Sequence, residues 1–209
     1  MEKIVVLATR NSGKIAELEK TLKDYGLTVR GLDAYPEIGD IVEDGDTFEE
    51  NSLIKARTVA KVTGLVAVAD DSGLEVDALN KAPGVYSARY SDDTPDLTGE
   101  TRDKRNNEKL LIELSNLPRE ERTARFRCVM SACAPSGHCI TASGAWEGVI
   151  GTEEVGDNGF GYDPLFIDAT DGEVSATLPR EEKNKRSHRG KALAALLEQW
   201  ESFWEEQER

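Results

Sequence analysis

Two uninterrupted apolar runs, Ile4-Val5-Val6-Leu7-Ala8 and Leu65-Val66-Ala67-Val68-Ala69, constrain the fold most. Each reads as a strand buried on both faces, and helical patterns lie between them. After the first run comes a polar turn, residues 9–14, then Ile15, Leu18 and Leu22 at helical spacing, with a stop near Gly26. Segment 28–46 carries Pro36, Gly39 and Gly45 and reads as loose chain. Thr47-Phe48-Glu49-Glu50 is a capping-box pattern that starts a helix running to about Thr63, where Gly64 stops it. The second run closes on Asp70-Asp71-Ser72-Gly73. A polar helix is expected from about Thr98 to Ser115, then strands over 125–134 and 139–149 joined by a hairpin at Pro135-Ser136-Gly137-His138. A final helix is expected from Ser187, with Leu193, Leu196, Leu197, Trp200, Phe203 and Trp204 as its apolar stripe. The fold class is α/β: a mixed twisted sheet with flanking helices, in one domain over 1–209, the hairpin region able to form a second lobe.

Composition excludes several functions. No apolar run approaches the ~20 residues that span a bilayer, and Glu2-Lys3 leads straight into a strand, so the expectation is a cytoplasmic protein with no membrane partner. The net charge is −14, from 26 basic and 40 acidic residues, which disfavours binding to a nucleic acid polymer but leaves room for a local anion site. Cys128, Cys133 and Cys139 fit no zinc spacing, and their odd number in such a compartment predicts buried thiols.

Four segments carry groups suited to chemistry. Thr9-Arg10-Asn11-Ser12-Gly13-Lys14 joins a strand to a helix N-terminus, where unpaired N–H groups and the dipole attract anions; it is either a phosphate cradle or a plain helix cap. Thr47, Asn51 and Lys55 share one helix face, either solvated surface or part of a site. Asp70-Asp71 at the carboxyl end of a buried strand is where open α/β sheets bind ligands, although an Asx-type turn also fits. In strand geometry the two carboxylates face opposite ways, and Glu43 offers a second carboxylate for Mg²⁺, which takes one or two carboxylates plus phosphates and water. Ser187 reads as an N-cap that puts His188 and Arg189 in the first helical turn, where cations oppose the dipole unless an anion compensates, with Lys183 upstream. Residues 156–164 form a glycine-rich aromatic loop around Phe160, whose ring offers a stacking face.

In order along the chain, Leu7-Ala8-Thr9 with Asn11 and Lys14, Glu43 to Gly45, Thr47-Phe48, Glu50-Asn51, Lys55-Ala56-Arg57, Ala69 to Leu74, Pro83 to Tyr90, Trp146 with Gly148 to Ile150, Gly159 to Pro164 and Ser187 to Gly190 resemble the inosine triphosphate pyrophosphatase family. The resemblance implies two lobes around a central cleft, a homodimer, Mg²⁺ dependence, and hydrolysis of ITP, dITP and XTP to monophosphate and pyrophosphate. It implies that Thr9, Asn11 and Lys14 hold the phosphates, with Lys55 assisting, and Arg10, Ser12 and Gly13 of the same loop are counted with the substrate-binding residues. Glu43 and Asp71 would hold metal, Asp71 also acting as base, and Ser72, Phe160, Gly161, Tyr162, Asp163, Lys183, His188 and Arg189 would contact the nucleotide. Arg10 stands where the family commonly has Gly, so the loop either turns differently or gains a phosphate contact.

Overall fold

The computed structural model describes residues 3–10, 15, 18–19, 21–23 and 25–207. Six strands, β1 (Lys3–Leu7), β2 (Leu27–Gly31), β3 (Val66–Val76), β4 (Thr123–Cys133), β5 (Cys139–Ile150) and β6 (Phe166–Asp168), form one mixed sheet in the order β2-β1-β3-β4-β5-β6. β1 pairs in parallel with β2 and β3, whereas β5 and β6 are antiparallel. The helices given labels are α1 (Phe48–Thr63), α2 (Arg102–Glu113), α3 (Arg180–Arg186), α4 (His188–Leu197) and α5 (Trp200–Gln207), and residues 15, 18–19 and 21–23 are also helical.

The chain divides into two compact units, Met1–Asp71 with Val129–Ser143 and Ala192–Arg209, and Ser72–Cys128 with Gly144–Lys191. In the first, Val6, Ala67 and Ala69 of the sheet pack with Ala56, Val59 and Ala60 of α1. Ala56 and Ala60 lie one turn apart, and their small side chains bring the helix backbone close to the strands. In the second, Leu74, Val76, Leu110, Phe126, Trp146 and Phe166 form the core, with the Phe126 and Phe166 rings 4.4 Å apart.

The first apolar run, the capped helix and the hairpin pair stand as expected. Four elements differ. Asp70 to Gly73 is not a turn: β3, which lies between β1 and β4 in the sheet, continues through it to Val76, past the end of its pairing with β1 at Val68. β2 lies within the segment read as loose, stabilised by its register with β1 rather than by a local pattern. The polar helix begins at Arg102, because Thr101 accepts from the Lys104 N–H at 3.2 Å, while Glu108 takes the amides of Thr98 and Gly99. The C-terminal helix is divided. α3 precedes Ser187, whose extended backbone ends it, and the apolar stripe is shared between α4 and α5.

The cysteine expectation is corrected as well. Cys133 and Cys139 form a disulfide, and Cys128 is a buried thiol. The hairpin turn, closed by Ala134 N–H donating to His138 O at 2.9 Å, puts the two cysteines opposite each other with Cα atoms 4.2 Å apart. A count and a compartment do not carry that cross-strand register.

Candidate active site

In the first unit, local sequence chemistry places a lysine among carboxylates. Thr47 Oγ1 accepts from the Glu50 N–H, and Glu50 Oε2 accepts from the N–H groups of Thr47 and Asp46, so the capping box is complete. One residue on, Asn51 is buried and its Oδ1 accepts from Gly45 N–H at 2.8 Å. Gly45 packs so closely that a Cβ there would lie 2.7 Å from Glu50 Cβ and 2.8 Å from Asn51 Oδ1. These contacts fix the chain two residues after Glu43. One turn beyond Asn51, Lys55 extends its ammonium to Glu43 Oε2 at 2.7 Å and Asp71 Oδ1 at 3.4 Å. The Thr47–Asn51–Lys55 face of α1 is therefore not solvated surface: Asn51 and Lys55 are buried, and of the three only Thr47 is exposed.

The electrostatics follow from crowding. Burial works against the charge of Lys55, but Asp71, Glu43 and Asp70 more than offset it and hold its pKa above the ordinary value. Asp71 is also raised: burial is the largest cause, Lys55 opposes it, Glu43 and Asp70 push further up, and the Asn51 amide draws it down. Asp71 Oδ2 is buried with no hydrogen-bond partner among the described residues. A buried acceptor without a partner is costly, and a cation or a donor relieves it. Among the described residues no three His, Cys, Asp or Glu side chains make a metal cage of their own. Glu43 and Asp71 do match the one or two hard oxygen donors that Mg²⁺ takes when phosphates and water complete its shell.

Thr9 follows β1, and its carbonyl accepts from Leu32 N–H at 3.5 Å. Arg10 donates to the Ile38 carbonyl and to Asp40 Oδ1 at 3.3 Å, so its guanidinium is engaged with the chain before Glu43. Asn11, Ser12, Gly13 and Lys14, expected to cradle phosphate, lie outside the described residues.

In the second unit a different chemistry gathers. Ser187 caps α4 as expected, its Oγ accepting from Gly190 N–H at 3.0 Å. Arg189, in the first turn, donates to Ser72 Oγ at 3.3 Å. Phe160 exposes 58% of its surface, with the Arg189 guanidinium 5.8 Å and the Lys183 ammonium 5.5 Å from its ring centre. Lys183 also pairs with Asp163. Asp163, buried, accepts from Phe160 N–H and Ser175 Oγ at 2.8 Å each. A Cβ on Gly159, where φ is +87°, would overlap Asp163 Oδ2, so the loop requires glycine there.

Two further residues expected to touch the nucleotide are buried, as Arg189 is. Tyr162 is buried and its hydroxyl donates to the Ser87 carbonyl at 2.8 Å. His188 is buried with its ring stacked on Phe126 at 4.9 Å. Their side chains, with that of Asp163, shape the loop and the helix start, while Phe160, Lys183, Arg189 and Ser72 are the groups brought together around the exposed ring. Asn51 is the functional residue the sequence reading underused. Its spacing from Lys55 was the available signal, but nothing local told buried from solvated.

The Ham1 family model matches residues 5–199. The chain is 68% identical to the dITP/XTP pyrophosphatase of Nitratidesulfovibrio vulgaris, over 96% of this chain and 97% of that one. It is 50% identical to the dITP/XTP pyrophosphatase of Geobacter sulfurreducens, over 92% and 94%. Among solved structures, the Ham1 protein of Staphylococcus aureus superposes with a TM-score of 0.84 at 38% identity, over 96% of this chain and 99% of that chain. The nucleoside-triphosphatase, or dITP/XTP pyrophosphatase, of Mycobacterium abscessus gives 0.76 at 45% identity, over 93% and 98%. A match of this length, alongside the carboxylate–lysine cluster and the exposed Phe160 loop, places the chain in the Ham1 family.

Proposed function

We propose that this chain hydrolyses the deaminated purine nucleoside triphosphates dITP, ITP and XTP to the nucleoside monophosphate and pyrophosphate, with Mg²⁺ as cofactor. The observation that carries the reading is the carboxylate cluster. Glu43 and Asp71 both reach one ammonium, Asp70 acts on it through its charge, and Asp71 keeps a buried oxygen with no partner among the described residues. Two carboxylates on one ammonium leave negative charge that suits a divalent cation carried in with a polyphosphate. Glu43 and Asp71 would hold it, and when bound it supplies neutralisation of the charge that develops on the phosphates. Asp71 accepts the proton of the attacking water, Lys55 keeps the two carboxylates in place, and Thr9 to Lys14 bind the phosphates. The purine lies on Phe160, with Arg189 donating to its 6-carbonyl. The names of the relatives support the same substrate class.

Further parts of the reading are a homodimer, carried by the resemblance, and a cytoplasmic location, carried by the composition. No described helix is long and apolar enough to cross a membrane. The test is an assay across dITP, XTP, ITP, ATP and GTP with Mg²⁺ and identification of the products. Monophosphate and pyrophosphate from dITP, XTP and ITP, with ATP and GTP spared, support the assignment. Nucleoside diphosphate as the main early product overturns it in favour of a phosphatase. Sedimentation velocity checks the dimer.

A further inference from the structure

The exposed ring of Phe160 is carried by fifteen residues, 151–165, that contain no helix or strand. A loop of that length without regular structure needs an external hold, and loops of this kind are commonly functional. Asp163 grips it from within, through Phe160 N–H. The second hold comes from α2. Asp103 Oδ2 accepts from Gly161 N–H at 2.8 Å, and Asn107 Nδ2 donates to Gly161 O at 3.1 Å. Asp103 and Asn107 are four residues apart, so they stack on one helix face and grip both polar groups of the residue that follows Phe160. The Asn107 amide also donates to Glu154 Oε1 at 2.6 Å, and Lys104, on the same helix, pairs with Glu154. Gly161 adopts φ +59°, a conformation that glycine takes at least cost.

Asn107 is poorly chosen for stability alone. It is 2% exposed, and because both neighbours are acceptors its nitrogen must face them, which leaves Oδ1 buried with no partner among the described residues. An apolar side chain of similar size would remove that orphaned oxygen but take the donor from Gly161 O and Glu154, so the amide is kept for the loop it holds. Departures of this kind from the best local choice are expected where a site needs them.

We propose that Asp103 and Asn107 are positioning residues that fix the Phe160 platform through Gly161, and so set the affinity for the purine without touching it. The proposal rests on the purine nucleotide reading above. An alternative for Asp103, stabilisation of the α2 N-terminus by its charge, predicts that Asp103→Asn and Asp103→Ala behave alike. The clamp predicts that they differ, since Asn keeps an acceptor oxygen.

The experiment measures kcat and KM for dITP in the wild type, D103A, D103N, F160A and the double variant D103A/F160A, with hydrogen exchange followed over residues 158–163. In D103A, KM should rise ~5- to 20-fold, part of what a lost stacking contact is worth, with kcat within about twofold. D103N should stay within about twofold of the wild type in KM, and protection of Gly161 N–H should fall in D103A alone. The double variant should match F160A, because a residue acting through the ring has nothing left to position. N107L, which fills the same space without donors, should repeat the KM effect and keeps the test open if D103A folds poorly. An unchanged KM in D103A, an effect that adds in full to F160A, or unchanged exchange at Gly161 overturns the clamp. A wild type inactive on every deaminated purine triphosphate overturns the functional reading instead, and the exchange comparison then still decides whether Asp103 holds the loop.

Discussion

Asp71 and Asp70 are chemically identical neighbours with different surroundings. The strand continues through both, so their side chains leave opposite faces, and Asp71 is the one within reach of Lys55. Asp71→Asn keeps the shape and removes the basic oxygen. Turnover should fall by ~10²–10⁴, the scale of a positioned general base, with an unchanged circular dichroism spectrum. Asp70→Asn should cost less; the reverse order of damage would exchange their roles. Arg189 has donors only and keeps its proton. Its place beside Phe160, with one nitrogen on Ser72, suits a donor to a purine 6-carbonyl. Adenine, with an amino group there, would leave donor facing donor, an arrangement that rejects a substrate by ~10⁴ or more in a dry site. Arg189→Ala should therefore lower kcat/KM for ITP sharply and narrow the ITP-over-ATP ratio. An unchanged ratio would place Arg189 on the phosphates.

At the scale of elements, the start of α1 does more than begin a helix. Its capping box and Asn51 hold the chain that carries Glu43, and Gly45 leaves no room for a side chain. Gly45→Ala should push that chain off Asn51 and weaken the apparent Mg²⁺ affinity ~10- to 100-fold, the effect of losing a support behind a metal ligand. A Mg²⁺ titration of initial rate measures it, and a titration like the wild type's would show that Glu43 does not depend on this turn. In the second unit, Arg125 on β4 donates to both Asp77 oxygens at 2.8 Å and reaches Glu147 on β5 at 3.0 Å. Hydrogen bonds from Arg125 hold the Asp77 carboxyl below its ordinary pKa of 3.8. A depressed pKa in the folded state adds stability above the unfolded value, and that stability is lost as pH falls through the folded one. Asp77 is 40% exposed, so the contribution is screened. Asp77→Asn should cost under ~1 kcal/mol at pH 7, and the gap from the wild type should close as pH falls below the ordinary carboxylate range in urea melts. A gap that persists there would be neutral packing. Both elements were legible in outline, since the Thr47–Glu50 pattern gives the helix start and turn residues give the hairpin. The grip of Asn51 on Gly45 was not, because a side chain that meets a loop six residues back leaves no periodic mark.

For the whole molecule, what the sequence determined by itself is the part governed by local physics. Apolar runs of five became strands, capping chemistry set the start of α1, Ser187 capped α4, and an ordered set of short motifs carried the family. Tertiary structure decided the rest, because it depends on which partner a group meets. A place inside the sheet carried β3 through Asp70 to Gly73, and pairing with β1 made a strand of Leu27–Gly31. Cross-strand register joined Cys133 to Cys139. Among the described residues, packing gave the expected site residues their positions: Lys55 among carboxylates, Tyr162 and His188 buried, Phe160 exposed. A residue type states what chemistry is available, but the desolvation and neighbouring charge that put it to use come from segments distant in the chain and exist only once those segments have packed.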